Sequence, residues 1–245
     1  VSTGEPFVTY LELRESTPEG EQGAGLSHSS SGLVLLHVLE LAAAGEPRGA
    51  VTVVHEAGEH GGRYLGLARA LAAAGWAVAL PDLRGHGRSE GARGHSNGIK
   101  EILRDLGDVQ DHLAYRQPEA PKVLLGHGLG GLWALAYACE KPADVAALVL
   151  LQPRLAPKFE LPTKPGGLLK AFKKVGPDAP GKLGFGTASD PSDPLRHDVI
   201  TLRAGEQAIE AAAKYAPRVG QLALPVLTAA TEAEVVAWLE RTLPR

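Results

Sequence analysis

Continuous apolar runs alternate with amphipathic stretches along most of this chain. "FVTYLEL" (7–13) and "LVLLHVLEL" (33–41) are rich in β-branched and apolar residues and predict two strands. "GAVTVVHEAG" (49–58) predicts a third, and its unbroken apolar core predicts burial on both faces. "GRYLGLARALAAAG" follows as a helix stopped by Gly75, and "WAVALPDLRGHGRSEG" is a strand running into a Gly-rich turn. From 98 to 116, Ile99, Ile102, Leu103, Leu106, Val109 and Leu113 recur at steps of three and four, the mark of an amphipathic helix. "KVLLG" and "VAALVLLQP" (145–153) are further buried strands, with a helix starting near Leu129 between them. Strand–helix alternation of this kind predicts a mostly parallel central sheet with helices on both faces, an α/β fold.

The rhythm breaks twice. Residues 16–32 are polar and Gly/Ser-rich, which predicts a loop. Residues 154–219 are Pro- and Gly-rich, with lysines at 158, 164, 170, 173, 174 and 182, and "GGLLKAFKKVG" in their midst predicts a short basic amphipathic helix. This stretch is an expected insertion between a first part, 1–153, and a last part, 220–245, where "LPVLTAA" (224–230) is a strand and "EAEVVAWLERTL" a helix.

Composition narrows the choices. The 245 residues are 44% hydrophobic and 22% charged, enough for one large α/β domain with a sizeable core. A net charge of −3 gives no general attraction to nucleic acid, so no nucleic-acid partner is expected. The one cysteine, Cys139, excludes an internal disulfide and a Cys-based zinc site, and fits a cytoplasmic setting. No run reaches the roughly 20 apolar residues of a membrane span, and "VSTGEPFVTY" does not read as a signal peptide. There is no methionine.

The chemistry-bearing signal is "LLGHGLGGLWAL" (124–135), a strand, a Gly-rich turn and a helix. It has the form of the G-x-S-x-G nucleophile elbow, with Gly128 where the attacking serine belongs. A glycine has no nucleophile. Neither a Walker lysine nor a dinucleotide-type glycine pattern is present, so no cofactor is implied. His60 and His95 have no metal-ligand spacing, and no metal is expected. "GHSNG" (94–98) matches G-x-S-x-G by letters, but no strand precedes it, and Ser96 is expected to cap the following helix. Cys139 lies among Ala, Leu and Tyr on the helix after the elbow and is expected to be a buried, inert thiol.

Taken in order, "VVHEAGEHGGRY", "DLRGHGRSEG", "LLGHGLGG" and "SDPL" resemble the monoacylglycerol lipase and lysophospholipase branch of the α/β hydrolases, the serine aminopeptidase-like group. The resemblance runs from about Gly49 to Thr228. It implies an α/β-hydrolase fold, a lid over residues 154–219 that lines an acyl-chain pocket, and an oxyanion hole made by the backbone N–H groups of Ala57 and Leu129. It also places His55, Glu56 and His127 around the elbow.

Three departures accompany the resemblance. Gly128 vacates the nucleophile position. Glu56 stands where the family has glycine, so a carboxylate beside the oxyanion hole is expected to oppose a developing negative oxygen. "TEAE" (231–234) makes Glu234 the candidate acid, and the chain then enters its last helix with no residue matching the family's catalytic His or its last strand. The expectation is therefore a hydrolase fold without serine chemistry, acting as a binding or interaction protein. A lipid or acyl ligand is one expected partner, and a protein at an open sheet edge is another. An active carboxylester hydrolase with an unrecognised triad, and a structural subunit of an assembly, are the competing readings.

Overall fold

The structure, a computed structural model, describes residues 4–14, 33–163, 175–185 and 192–243. The Gly/Ser-rich stretch and most of the basic segment 166–176 lie outside the described residues. The strands are β1 (Phe7–Arg14), β2 (Leu33–Leu41), β3 (Gly49–Val54), β4 (Trp76–Pro81), β5 (Lys122–His127), β6 (Ala147–Leu151), β7 (Pro180–Lys182), β8 (Val199–Thr201) and β9 (Val226–Ala229). The helices are α1 (Leu65–Ala73), α2 (Ile99–Arg116), α3 (Leu129–Glu140), α4 (Leu202–Tyr215) and α5 (Glu232–Thr242).

Seven strands form one sheet in the order β1-β2-β4-β3-β5-β6-β9. The pairs made by β2 are antiparallel, and those from β4 through β9 are parallel. Alternation along the inner strands sends successive side chains to opposite faces. Val54, Leu124, Leu148 and Leu150 pack with α3 and α4 on one face. Val53, Val123, Leu125 and Val149 pack with Leu67 and Leu71 of α1 and with Val235 and Leu239 of α5 on the other. Every residue of β3, β4 and β6 is buried, as their unbroken apolar runs predict. The amphipathic stripe of α2 seats Val109 and Leu113 on Leu36, Val38 and Ala79. This is the α/β-hydrolase architecture that the sequence predicts.

Some boundaries move. The third strand stops at Val54 because residues 55–58 turn away, ending in Gly58 at a φ of +77°. Ser96 does not cap α2. Gly98 holds that place at a φ of +114°, and Glu101 reaches back to accept the N–H of Asn97. A carboxylate one turn into the helix thus satisfies an amide at the helix entrance from the inside, and the cap position falls two residues after Ser96. Within 154–219, β7 and β8 pair as a small antiparallel ribbon, and Thr201 caps α4 by accepting from Ala204 N–H. Ala208, Ala211 and Tyr215 of α4 share an apolar cluster with α3, so this stretch contributes to the core as well as to the surface above it.

Candidate functional site

The C-terminal ends of β3 and β5 meet at a tight turn into α3. Gly128 begins the helix at φ +55° and ψ −121°, a region that strains any residue with a side chain. Its neighbours are small by necessity. A Cβ on Gly130 would overlap the carbonyls of Val54 and His55, and one on Gly126 would overlap the backbone of Gly130. The glycines let α3 lie directly against β3 and β5, so the elbow geometry is present without its nucleophile.

The N–H groups of Ala57 and Leu129, expected as oxyanion donors, converge on one acceptor. Oε1 of Glu56 accepts from Leu129 N–H at 2.7 Å and from Ala57 N–H at 2.9 Å. Its other oxygen, Oε2, accepts from Nη2 and Nε of Arg154 at 3.0 and 3.2 Å. The carboxylate is almost fully buried, with the Glu56 side chain 5% exposed. Glu56 was expected to stand beside the hole and repel charge from it. Its carboxylate accepts from both amides instead, because the N–H opening α3, the N–H of Ala57 after β3 and a guanidinium together form a carboxylate site.

Arg154 holds this arrangement at two points. Its backbone N–H donates to the carbonyl of Gly128 at 2.8 Å, and its guanidinium carbon lies 3.7 Å from the ring centroid of Phe185. Gln152, at a φ of +44°, bends the chain after β6 so that Arg154 faces the elbow. No motif in the sequence marks Arg154. The only signal was chemical, since a buried Glu beside an apolar strand needs a cation.

The histidines have settled partners. His55 accepts from Leu83 N–H through Nε2 and donates from Nδ1 to the carbonyl of Glu56, which fixes the neutral tautomer. Burial holds its pKa below the usual imidazole value. His127 Nδ1 lies 2.7 Å from the hydroxyl of Tyr64, which donates to Glu59 and accepts from Glu56 N–H. The imidazoles of His55, His86 and His197 lie in series, tilted against one another, with centroids 5.1 and 4.7 Å apart. Glu234 is exposed at the start of α5, where its carboxylate accepts from Ala230 N–H.

The "DLRGHGRSEG" turn is built around Asp82. Its carboxylate accepts from Gly61 N–H and Arg88 N–H and pairs with His37. Burial alone would raise its pKa, but these partners hold it low. Gly87 passes so close that a Cβ there would overlap the carboxylate. Beside the elbow lies a cavity of about 50 Å³, lined by Ala57, Ile102, Leu129, Trp133, Leu183 and Ile200 among others. That is well below the roughly 150 Å³ that admits a benzene molecule.

Comparison with known proteins places this geometry. Over 108 residues the chain is 39% identical to the monoacylglycerol lipase of Mycolicibacterium smegmatis, covering 44% of this chain and 39% of that one. Over 109 residues it is 39% identical to human monoglyceride lipase, covering 44% and 36%. These matches span well under half of either relative's length. The solved structure of Paleococcus ferrophilus monoacylglycerol lipase superposes with a TM-score of 0.64 at 28% identity, covering 79% of this chain and 76% of that one. The sequence profile of the serine aminopeptidase, S33, family matches residues 45–242. With the sheet order, the glycine elbow and the paired donors, this match shows that the chain belongs to the serine aminopeptidase, S33, family of α/β hydrolases.

Proposed function

We propose that this chain is a non-catalytic member of its family, with no serine-type ester hydrolysis, and that it acts as a binding or interaction protein. One observation carries the reading. The oxyanion donors that would stabilise a tetrahedral intermediate are taken by the protein's own Glu56 carboxylate, at 2.7 and 2.9 Å. A working hole must be open to the substrate oxygen and is worth several kcal/mol of barrier. Here both that stabilisation and the attacking hydroxyl at position 128 are missing. Acyl lipids are the ligand class that the names of the similar lipases point to. The cavity of about 50 Å³ beside the elbow, lined in part by Leu183, Val199 and Ile200, is where such a ligand would be sought.

The test is labelling with a fluorophosphonate probe, together with hydrolysis of a p-nitrophenyl ester series. No stoichiometric adduct and no turnover above buffer are expected. An adduct mapped to any serine overturns the reading in favour of an active carboxylester hydrolase.

A further inference from the structure

We infer that the vacated centre is a carboxylate-binding site occupied in cis, with Glu56 as its built-in ligand. The inference rests on the reading of this centre as non-catalytic and goes beyond it by naming what the centre recognises. The receptor has three parts from distant places in the chain. They are the N–H of Ala57 after β3, the N–H of Leu129 opening α3, and the guanidinium of Arg154 after β6. Together they offer four hydrogen bonds between 2.7 and 3.2 Å, two to each oxygen of one carboxylate. The two N–H groups grip one oxygen from one side, and the guanidinium grips the other from the opposite side. Such a fork suits a planar anion with two oxygens better than a spherical one.

Two further features belong to the same device. Gly128 gives up its side chain at the point where Oε2 and Cδ of Glu56 lie, so the occupant has room. Arg154 is steadied by the Phe185 ring and by its own backbone bond to Gly128, so the receptor does not depend on Glu56 to hold its cation in place. In the native chain this centre is therefore closed to a free carboxylate, and any ligand that enters beside it carries no carboxylate into the fork. Removing the Glu56 side chain leaves a receptor matched to a small monocarboxylate supplied in trans.

The experiment follows the amide resonances of Ala57 and Leu129 by NMR while sodium acetate is added at constant ionic strength against sodium chloride. In the native protein both amides are expected far downfield, as donors to a carboxylate, and unmoved by acetate. In Glu56→Gly they should move upfield and return on saturation with acetate. Adding Arg154→Gln should weaken that binding at least tenfold. Glu56→Ala repeats the test if the glycine variant does not fold. The inference is overturned if acetate leaves both amides of the folded variant unmoved, if chloride reproduces the effect, or if acetate already shifts them in the native protein. Fluorophosphonate labelling would instead overturn the non-catalytic reading, so the two failures are distinguishable.

Discussion

Glu56 and Gly128 claim one volume. A Cβ built on Gly128 would overlap the Oε2 and Cδ atoms of Glu56, so a side chain at 128 and the carboxylate in its present position exclude each other. The glycine at 128 and the glutamate at 56 thus fit one another as a single arrangement. Gly128→Ser is expected to destabilise the protein by about 3 kcal/mol, from strain at positive φ together with displacement of the carboxylate. Glu56→Gly combined with Gly128→Ser should cost less than the sum of the single changes, with a coupling of about 1–2 kcal/mol. Urea denaturation of the four proteins checks this, and strict additivity would refute the shared volume. Neither serine variant is expected to turn over p-nitrophenyl esters beyond a trace.

The three neighbouring histidines make stability fall with acid. His55, His86 and His197 are all held below the unfolded value of about 6.5, chiefly by burial, and His197 is lowered to about 4. Arg93 and the neighbouring imidazoles reinforce the shift at His86 and His197, while Asp82 and Glu59 oppose it at His55. The unfolded chain therefore takes up protons that the folded one refuses. The stability these groups allow is complete above pH 6.5 and is lost as pH falls toward 4. Asp105, raised to about 6 by burial against the pull of Arg84, runs the other way from pH 6 down to its unfolded value. A net loss of stability between pH 7.5 and 5 is expected, because three imidazoles outweigh the one opposing carboxyl. His197→Phe should flatten the profile by about one proton, as read from denaturation midpoints across that range.

Arg84 is the buried cation whose loss should cost most. Its fork meets Asp105 at 2.9 and 2.8 Å, and Glu101 lies 3.7 Å from Nη1. Arg84→Leu would leave two buried carboxylates short of their cation, and about 3–5 kcal/mol should be lost. Arg84→Leu with Asp105→Leu should recover part of that, because one stranded charge goes with its partner. Thermal and urea unfolding of both variants decide the point.

Cys139 should react only when the chain opens. The thiol is buried, with 8% of the residue exposed, and burial raises its pKa. Modification by Ellman's reagent at pH 8 is expected to be about 100-fold slower than in urea. Equal rates would mean that α3 does not pack as described.

Much of the scaffold was legible because its signals are local. The apolar runs of β3, β5 and β6 and the three-and-four spacing of α2 need only neighbouring residues to be read. The elbow was legible for the same reason, since its glycines fall within six neighbouring positions, 126–131. What Glu56 does was not. Its partners stand 73 and 98 positions away, at Leu129 and Arg154, and a carboxylate beside two amide donors reads as repulsion until a guanidinium is found across from it. Ser96 misled in the opposite way, through a local motif. Its letters fit a cap, but Gly98 and Glu101 already complete the start of the helix.

Arg154 follows β6, and it is fastened beside Gly128 by main chain and side chain alike. A hinge cannot work at a point bolted on both sides. Any displacement of the chain after β6 must therefore begin downstream of Arg154, and one that begins at this root must first break its bonds to Glu56 and Gly128.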